Sequence, residues 1–220
     1  MKLKLAIIAF ALLISSGLMA QQQTIPFASE LAAFKYKDDV SLPKPGGILF
    51  IGSSSIRKWQ DLQQRFADKP IVQRGVGGSE LWQWIKFYMP DLVYRYQPKK
   101  IFIYVGENDI AAGHSAQMVY QDFITMMGMI RQNLPAAKVY FLAIKQSPSR
   151  AKTYADVLQA DSLIAAYLKG TKNAQYVDVN TPLINAATGQ PDTTLFLPDM
   201  LHLNSKGYDK WQAVLKKYVK

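Results

Sequence analysis

The sequence of 220 residues contains no cysteine and only two histidines. Without cysteine the chain cannot form disulfides, thiolate metal sites, a cysteine nucleophile or a lipid anchor on an N-terminal cysteine. Two histidines argue against a zinc site, because such a site would have to draw most of its ligands from carboxylates.

Several nucleotide-binding and hydrolase signatures are also missing. There is no Gly-Lys-Ser or Gly-Lys-Thr sequence, which excludes a phosphate-binding P-loop. The glycine-rich residues 75–80 end in Glu80, where a dinucleotide-binding fingerprint requires glycine or alanine. The nucleophile elbow of α/β-hydrolases, Gly-x-Ser-x-Gly, would need glycine where Ile56 stands.

The first twenty residues have the pattern of a secretory signal peptide. Lys2 and Lys4 precede an apolar run over residues 5–14, which is shorter than the ~20 residues of a membrane-spanning helix. Small residues follow, and cleavage is expected after Ala20. We therefore predict a signal peptide at residues 1–20, export to the periplasm or the medium of a bacterial cell, and no stable membrane anchor.

The net charge is strongly positive, but the basic residues are scattered. The chain has 26 basic and 16 acidic residues, a net charge of +10. Loss of Lys2 and Lys4 with the signal peptide would leave 24 basic residues and a net charge of +8. The longest basic runs are Lys99-Lys100 and Lys216-Lys217, so the pattern indicates a solvated surface. We expect no nucleic-acid partner.

Short apolar runs alternate with helical patterns along the chain. The apolar runs predict strands at residues 48–51, 71–76, 101–105, 139–144 and 176–179. Helical spacing occurs over residues 27–36, 59–66, 81–96 with Pro90 as a break, 115–134, 154–168 and 208–218. This alternation predicts a single α/β domain over residues 21–220, with a doubly wound, five-stranded parallel sheet and helices on both faces.

Residues 46–59 carry the first candidates for chemistry. The apolar residues 48–51 stop at a glycine, and three serines follow where a helix can begin: Ser53, Ser54 and Ser55. A hydroxyl at the carboxyl end of a parallel strand lies in the crevice where open α/β sheets bind ligands. From these residues alone, each of the three serines is a candidate nucleophile.

The two histidines have different surroundings. His202 follows Asp199 by three residues, so the carboxylate can accept a hydrogen bond from the imidazole Nδ1 and leave Nε2 facing a serine. An Asp-x-x-His sequence can also simply cap the last helix. His114 lies just before a predicted helix and is interpreted as a loop or cap residue.

Two further groups of residues could form other kinds of site. Glu107 and Asp109 could hold a metal ion, but beside a strand end they are expected to make turn and helix-cap bonds. Aromatic residues could line a sugar or acyl pocket, although such spacing is more typical of a core: Trp59, Trp82, Trp84 and Tyr88.

Four short blocks together resemble the SGNH or GDSL-type esterase family. Residues 51–55 look like the first block of the family and identify Ser54 as the nucleophile, with Ser53 where the family usually has aspartate. Residues 74–79 are similar to the second block, which makes Gly78 an oxyanion donor. The resemblance of these first two blocks therefore implies which of the three serines is the nucleophile.

The second half of the resemblance concerns the later strand ends. Residues 105–109 match the Gly-x-Asn-Asp block, which makes Asn108 the second oxyanion residue beside the backbone of Ser54 and Gly78. Asp199 and His202 match the Asp-x-x-His block and complete a Ser-His-Asp triad.

The resemblance implies a flavodoxin-like SGNH hydrolase fold and a serine esterase that needs no metal or organic cofactor. The expected partner is a small-molecule or glycan ester, with short acyl groups such as acetyl preferred. Alternatives are a lysophospholipase or thioesterase for longer acyl chains, and a catalytically silent carbohydrate-binding protein. Residues 144–150 are similar to those of one bacterial subgroup of the family.

Overall fold

The computed structural model of the chain describes residues 24–220. The predicted signal peptide and its cleavage site lie outside the described residues. Within the described part, no helix is both long enough and apolar enough to span a bilayer.

Five strands form one parallel sheet in the order β2-β1-β3-β4-β5. The strands are β1 (Ile48–Gly52), β2 (Ile71–Gly75), β3 (Lys100–Tyr104), β4 (Lys138–Leu142) and β5 (Ala174–Val177). Each overlaps a predicted strand. Because β2 lies on one side of β1 and β3 on the other, the direction of winding reverses between β1 and β3. Ligands bind at such switch points, outside the carboxyl ends of the strands.

Helices connect the strands and cover both faces of the sheet. The α-helices are α1 (Ala28–Val40), α2 (Ser54–Arg57), α3 (Leu62–Arg65), α4 (Leu81–Gln83), α5 (Met89–Leu92), α6 (Glu107–Ala111), α7 (Ala116–Asn133), α8 (Tyr154–Lys169) and α9 (Ser205–Leu215). A π-helical turn covers Trp84–Tyr88, and 3₁₀ turns cover Tyr94–Tyr96, Pro148–Thr153, Thr181–Leu183 and Thr193–Leu195. The predicted doubly wound α/β class is confirmed.

Alternate residues of β1 belong to two separate hydrophobic cores. Leu49 and Ile51 pack into a core that includes buried residues of α7 and α8. Ile48 and Phe50 point to the opposite face, where Trp211 of α9 lies. All four β1 residues are almost fully buried, which explains why this strand is continuously apolar rather than alternating.

The structure differs from the predicted helix at residues 59–66. The chain makes two single turns, α2 and α3, and Trp59 lies between them. Its indole stacks on Tyr208 at 4.9 Å between ring centroids and is fully buried. The helix is interrupted because this packing places the indole in the core beneath α9.

The predicted break at Pro90 takes the form of a π-helical turn: the regular α-helix stops before the proline, and a new one begins at Met89. The chain passes from α4 through the π-helical turn into α5, with the Met89 N–H donating to the Trp84 carbonyl. This wider turn leaves room for the proline ring, which in a regular α-helix would clash with the carbonyl four residues earlier. The helical path ends at Val93, whose φ and ψ are −130° and −62°.

Buried polar contacts fasten α1 to the sheet. Asp38 of α1 pairs with the Arg74 guanidinium of β2 and accepts a hydrogen bond from the Tyr96 hydroxyl. Arg74 Nε also donates to that hydroxyl at 2.7 Å. All three residues are buried, so the bonds among them satisfy polar groups that water does not reach.

We expect Asp38→Ala to lower the free energy of unfolding by about 3 kcal/mol, because it leaves the Arg74 charge buried without its partner. The matched control is Asp39→Ala, next in sequence, whose exposed ion pair with Lys35 should contribute less than about 1 kcal/mol. Urea unfolding followed by circular dichroism measures both. Equal effects would contradict the anchoring role of Asp38.

Candidate active site

The candidate site lies where β1 and β3 end side by side. At the last residue pair, Gly52 has φ +139°, and a Cβ atom added there would lie 1.8 Å from the Tyr104 carbonyl oxygen. No side chain fits this position. The chain then turns sharply, with the Ser53 N–H donating to the same carbonyl at 2.9 Å, and α2 begins at Ser54.

Three of the predicted residues form one hydrogen-bonded chain. The Ser54 Oγ lies 2.9 Å from His202 Nε2, and His202 Nδ1 lies 2.7 Å from Asp199 Oδ2. Because an ionised carboxylate only accepts, this pairing assigns the imidazole proton to Nδ1 and leaves Nε2 as the acceptor for the serine hydroxyl. Ser54 and His202 are 148 positions apart in sequence.

A tight turn presents Asp199 and His202 in this orientation. The Leu197 N–H donates to the His202 carbonyl at 2.7 Å, and the Met200 N–H donates to the Leu197 carbonyl at 2.9 Å. Met200, at the tip, has the left-handed φ of 52°. A non-glycine residue rarely adopts this conformation, so the surrounding contacts must hold the turn.

The Asp199 carboxylate is stabilised in its charged form. Burial by itself would raise its pKa, but hydrogen bonds from the backbone N–H and the ring of His202, and from the Leu201 N–H, hold the pKa well below its usual range. Asp199 therefore stays ionised at neutral pH and remains a hydrogen-bond acceptor for the imidazole.

The predicted oxyanion donors include two backbone N–H groups, those of Ser54 and Gly78. Within residues 24–220, neither the Ser54 N–H nor the Gly78 N–H donates to an acceptor. Gly78 is exposed and has φ +81°, a conformation that glycine adopts without strain. The Phe27 ring lies over it, 3.2 Å from where a Gly78 Cβ would be.

The Asn108 amide is held in one orientation. Its Nδ2 donates to the Ser79 carbonyl at 3.1 Å, and its Oδ1 accepts from Arg150 Nη2 at 3.0 Å. Because a guanidinium only donates, turning the amide over would break both bonds. The second Nδ2 hydrogen remains for a ligand.

Residues 49–210 match the GDSL-like Lipase/Acylhydrolase family. The chain belongs to this family. It is a carboxylic ester hydrolase, and the predicted family resemblance is confirmed. A search of the curated proteins gave no match.

Solved structures share the fold of this GDSL-like hydrolase. A Streptococcus pneumonia protein, provisionally assigned as a platelet activating factor, has 22% identity and a TM-score of 0.78 over 97% of this chain and 99% of its own. A GDSL-like lipase from Bacteroides thetaiotaomicron VPI-5482 has 20% identity and a TM-score of 0.70 over 86% and 98% of the two chains. A carbohydrate esterase family 3 protein from Talaromyces cellulolyticus has 15% identity and a TM-score of 0.64 over 79% and 96%.

Behind the site, the GDSL-like hydrolase buries an ionic network that the sequence reasoning did not find. Glu107 accepts hydrogen bonds from Lys145 Nζ at 2.6 Å and from the Tyr104 hydroxyl at 2.8 Å, and it also contacts the Ser147 hydroxyl. Burial opposes ionisation of Glu107, but the positive charges of Lys145 and Arg150 hold its pKa below the usual value. In the sequence, the feature that indicates this network is Lys145, a charged residue directly after the apolar residues 139–144.

This network connects the two halves of the site. Arg150, which orients Asn108, also donates from Nη1 to the Glu107 carbonyl at 2.9 Å. On the other side, the Ser147 hydroxyl lies 3.3 Å from the Leu201 carbonyl, and the Ser149 N–H donates to Met200 at 2.9 Å. The loop after β4 therefore contacts both Asn108 and the turn that carries His202.

The remaining candidates take no part in the hydrogen-bonded chain of Ser54, His202 and Asp199. Ser53 and Ser55 are buried, so neither presents its hydroxyl to the crevice as Ser54 does. Three of the four aromatic candidates are fully buried core residues: Trp59, Trp84 and Tyr88. Only Trp82 is exposed, with its indole nitrogen 3.3 Å from Glu80. His114 lies in the loop before α7, as expected.

Proposed function

We propose that this GDSL-like hydrolase cleaves carboxylic esters with Ser54 as nucleophile, His202 as general base and Asp199 as the residue that orients the imidazole. The observation that supports this most directly is the unbroken chain of contacts from Asp199 Oδ2 to His202 to Ser54 Oγ, at 2.7 and 2.9 Å. Both distances suit proton transfer along the chain.

In the first step, His202 Nε2 takes the Ser54 proton as Oγ attacks the ester carbonyl carbon. Asp199 stabilises the imidazolium that forms, and the carbonyl oxygen becomes negatively charged. The imidazolium then protonates the leaving alcohol, and the acyl group stays on Ser54. In the second step, His202 activates a water molecule that releases the acid.

The developing oxyanion would be stabilised by three donors, the N–H groups of Ser54 and Gly78 and the Asn108 amide. Among the described residues, the two N–H groups have no acceptor, and Asn108 uses only one of its two Nδ2 hydrogens. Arg150 and Ser79 hold the Asn108 amide in place before substrate binds. Donors that need no reorganisation during the reaction are the most effective.

For the substrate, we propose a short acyl ester, with acetyl groups on carbohydrates as the leading example. The Phe27 ring over Gly78 supports a short acyl group, because it occupies space beside a proposed oxyanion donor. The carbohydrate esterase among the structural neighbours is consistent with a glycan ester. A signal peptide at residues 1–20 would bring the enzyme to such substrates outside the cytoplasm.

Ser54→Ala should abolish ester hydrolysis and labelling by a fluorophosphonate probe, because it removes the attacking oxygen. The matched controls are Ser53→Ala and Ser55→Ala, which should keep the label on Ser54. Mass spectrometry locates the labelled residue. A wild-type protein that resists the probe and hydrolyses no ester would favour the silent carbohydrate-binding alternative, and a label on another serine would contradict our nucleophile.

Asn108→Ala should lower kcat by about 10²–10³, the usual effect of losing one oxyanion donor. Arg150→Ala should lower kcat less, with KM little changed, because Asn108 remains but loses its fixed orientation. In the double variant the Arg150 effect should nearly vanish, since both act through one amide. The exposed neighbour variant Lys152→Ala is the control. If the effects of Asn108→Ala and Arg150→Ala on kcat added fully in the double variant, Arg150 would not act by positioning Asn108.

Hydrolysis of p-nitrophenyl esters from acetate to palmitate, with acetylated xylan alongside, tests the substrate proposal. We expect the highest kcat/KM for acetate and butyrate in the wild type. Phe27→Ala should shift the preference towards longer chains by opening the space beside Gly78, whereas Tyr36→Ala, an exposed aromatic substitution in α1, should not. Activity on long chains alone would overturn the short-acyl proposal.

A further inference from the structure

A cluster outside the hydrogen-bonded chain brings together Glu80, Asp109 and His114. One possible metal-binding atom from each lies within 4.8 Å of the other two. Glu80 precedes α4, Asp109 is in α6, and His114 lies in the loop before α7. The three residues therefore come from the segments that follow β2 and β3.

Asp109 carries a buried oxygen that has no hydrogen-bond partner in the described part of the chain. The residue has no solvent exposure, and its Oδ1 accepts from the Leu81 N–H at 2.8 Å. Its Oδ2 makes no hydrogen bond to any residue in the range 24–220. Burial raises the pKa of Asp109 to about 7. A buried carboxylate oxygen without a hydrogen bond costs folding free energy. A cation or a hydrogen-bond donor beside this oxygen would remove that cost.

His114 does not supply that compensation. Its Nε2 lies 3.8 Å from Glu80 Oε2, which is too long for a hydrogen bond, and its buried Nδ1 has no partner among the described residues. The imidazole is 27% exposed and the Glu80 side chain 19%, so an ion could enter from solvent. The three groups converge without satisfying one another.

We propose that Glu80, Asp109 and His114 bind a divalent transition-metal ion such as Zn²⁺. Two carboxylates and one imidazole form a donor set that suits Zn²⁺, and the imidazole argues against Mg²⁺ or Ca²⁺, which prefer oxygen ligands. Asp109 would contribute Oδ2, the oxygen that Leu81 leaves free. Water would complete the coordination of a three-ligand site.

The ion would stabilise the loops that carry the proposed oxyanion donors. Glu80 directly follows Ser79, whose carbonyl accepts from the Asn108 amide at 3.1 Å, and Asp109 directly follows Asn108. An ion held by Glu80 and Asp109 would therefore join the segment after β2 to α6, immediately beside this bond. Its role is structural, and the ester chemistry proposed above does not pass through it.

The test uses untagged, chelator-treated protein and Zn²⁺ alone, followed by titration calorimetry and thermal unfolding. The wild type should bind one equivalent of Zn²⁺ and unfold at a higher Tm with the ion present. Asp109→Asn, which keeps an oxygen for the Leu81 N–H, and His114→Ala should each weaken binding by about tenfold or more. Asp68→Asn, an exposed carboxylate outside the cluster, is the matched control.

Titration with Co²⁺ gives a second readout that is independent of stability and of esterase activity. The wild type should develop visible absorption bands that His114→Ala loses, whereas circular dichroism should show that the variant remains folded. Absence of binding by the wild type, or equal binding by wild type and both cluster variants, would overturn the proposal. Neither result would affect the assignment of Ser54, because that rests on labelling and hydrolysis.

Discussion

The site depends on the close contact between the backbones of Gly52 and Tyr104, where β1 and β3 end side by side. A side chain at Gly52 would collide with the Tyr104 carbonyl, so only glycine lets the two strands finish in register and the chain turn directly into α2. That turn starts α2 at Ser54, whose Oγ lies 2.9 Å from His202 Nε2. The neighbouring strand end, at Tyr104, leads into α6, which carries Asn108.

A buried ionic network then holds the second half of the site against this edge. Glu107 and Lys145 are buried and Arg150 is partly exposed, and the buried charges are tolerated because each faces an opposite charge and several hydrogen bonds. The network gives Asn108 a fixed orientation and supports the turn that carries His202. It also explains why a loop far from Ser54 in sequence contributes to the geometry around that serine.

Most of the architecture could be predicted, because strands buried on both faces are continuously apolar and parallel sheets align their carboxyl ends. A prediction failed where tertiary packing overrides the local pattern: the helix expected over residues 59–66 is interrupted at Trp59, whose indole fills the core under α9. The roles of Arg150 and Phe27 were also missed. Each depends on a contact with a residue more than 40 positions away, and local spacing carries no information on such contacts.

The sequence by itself determined the fold class, the family and the short set of groups able to do chemistry, since strand periodicity and four local blocks are properties of neighbouring residues. The blocks named Ser54, Asp199 and His202 as one triad, but local sequence does not give the geometry of their contacts or the other side chains that hold them. The 2.9 Å contact between Ser54 and His202, the fixed amide of Asn108 and the convergence of Glu80, Asp109 and His114 arise only when the sheet forms. The physical reason is that these contacts join separate strand ends, whose distances are determined by sheet order and register.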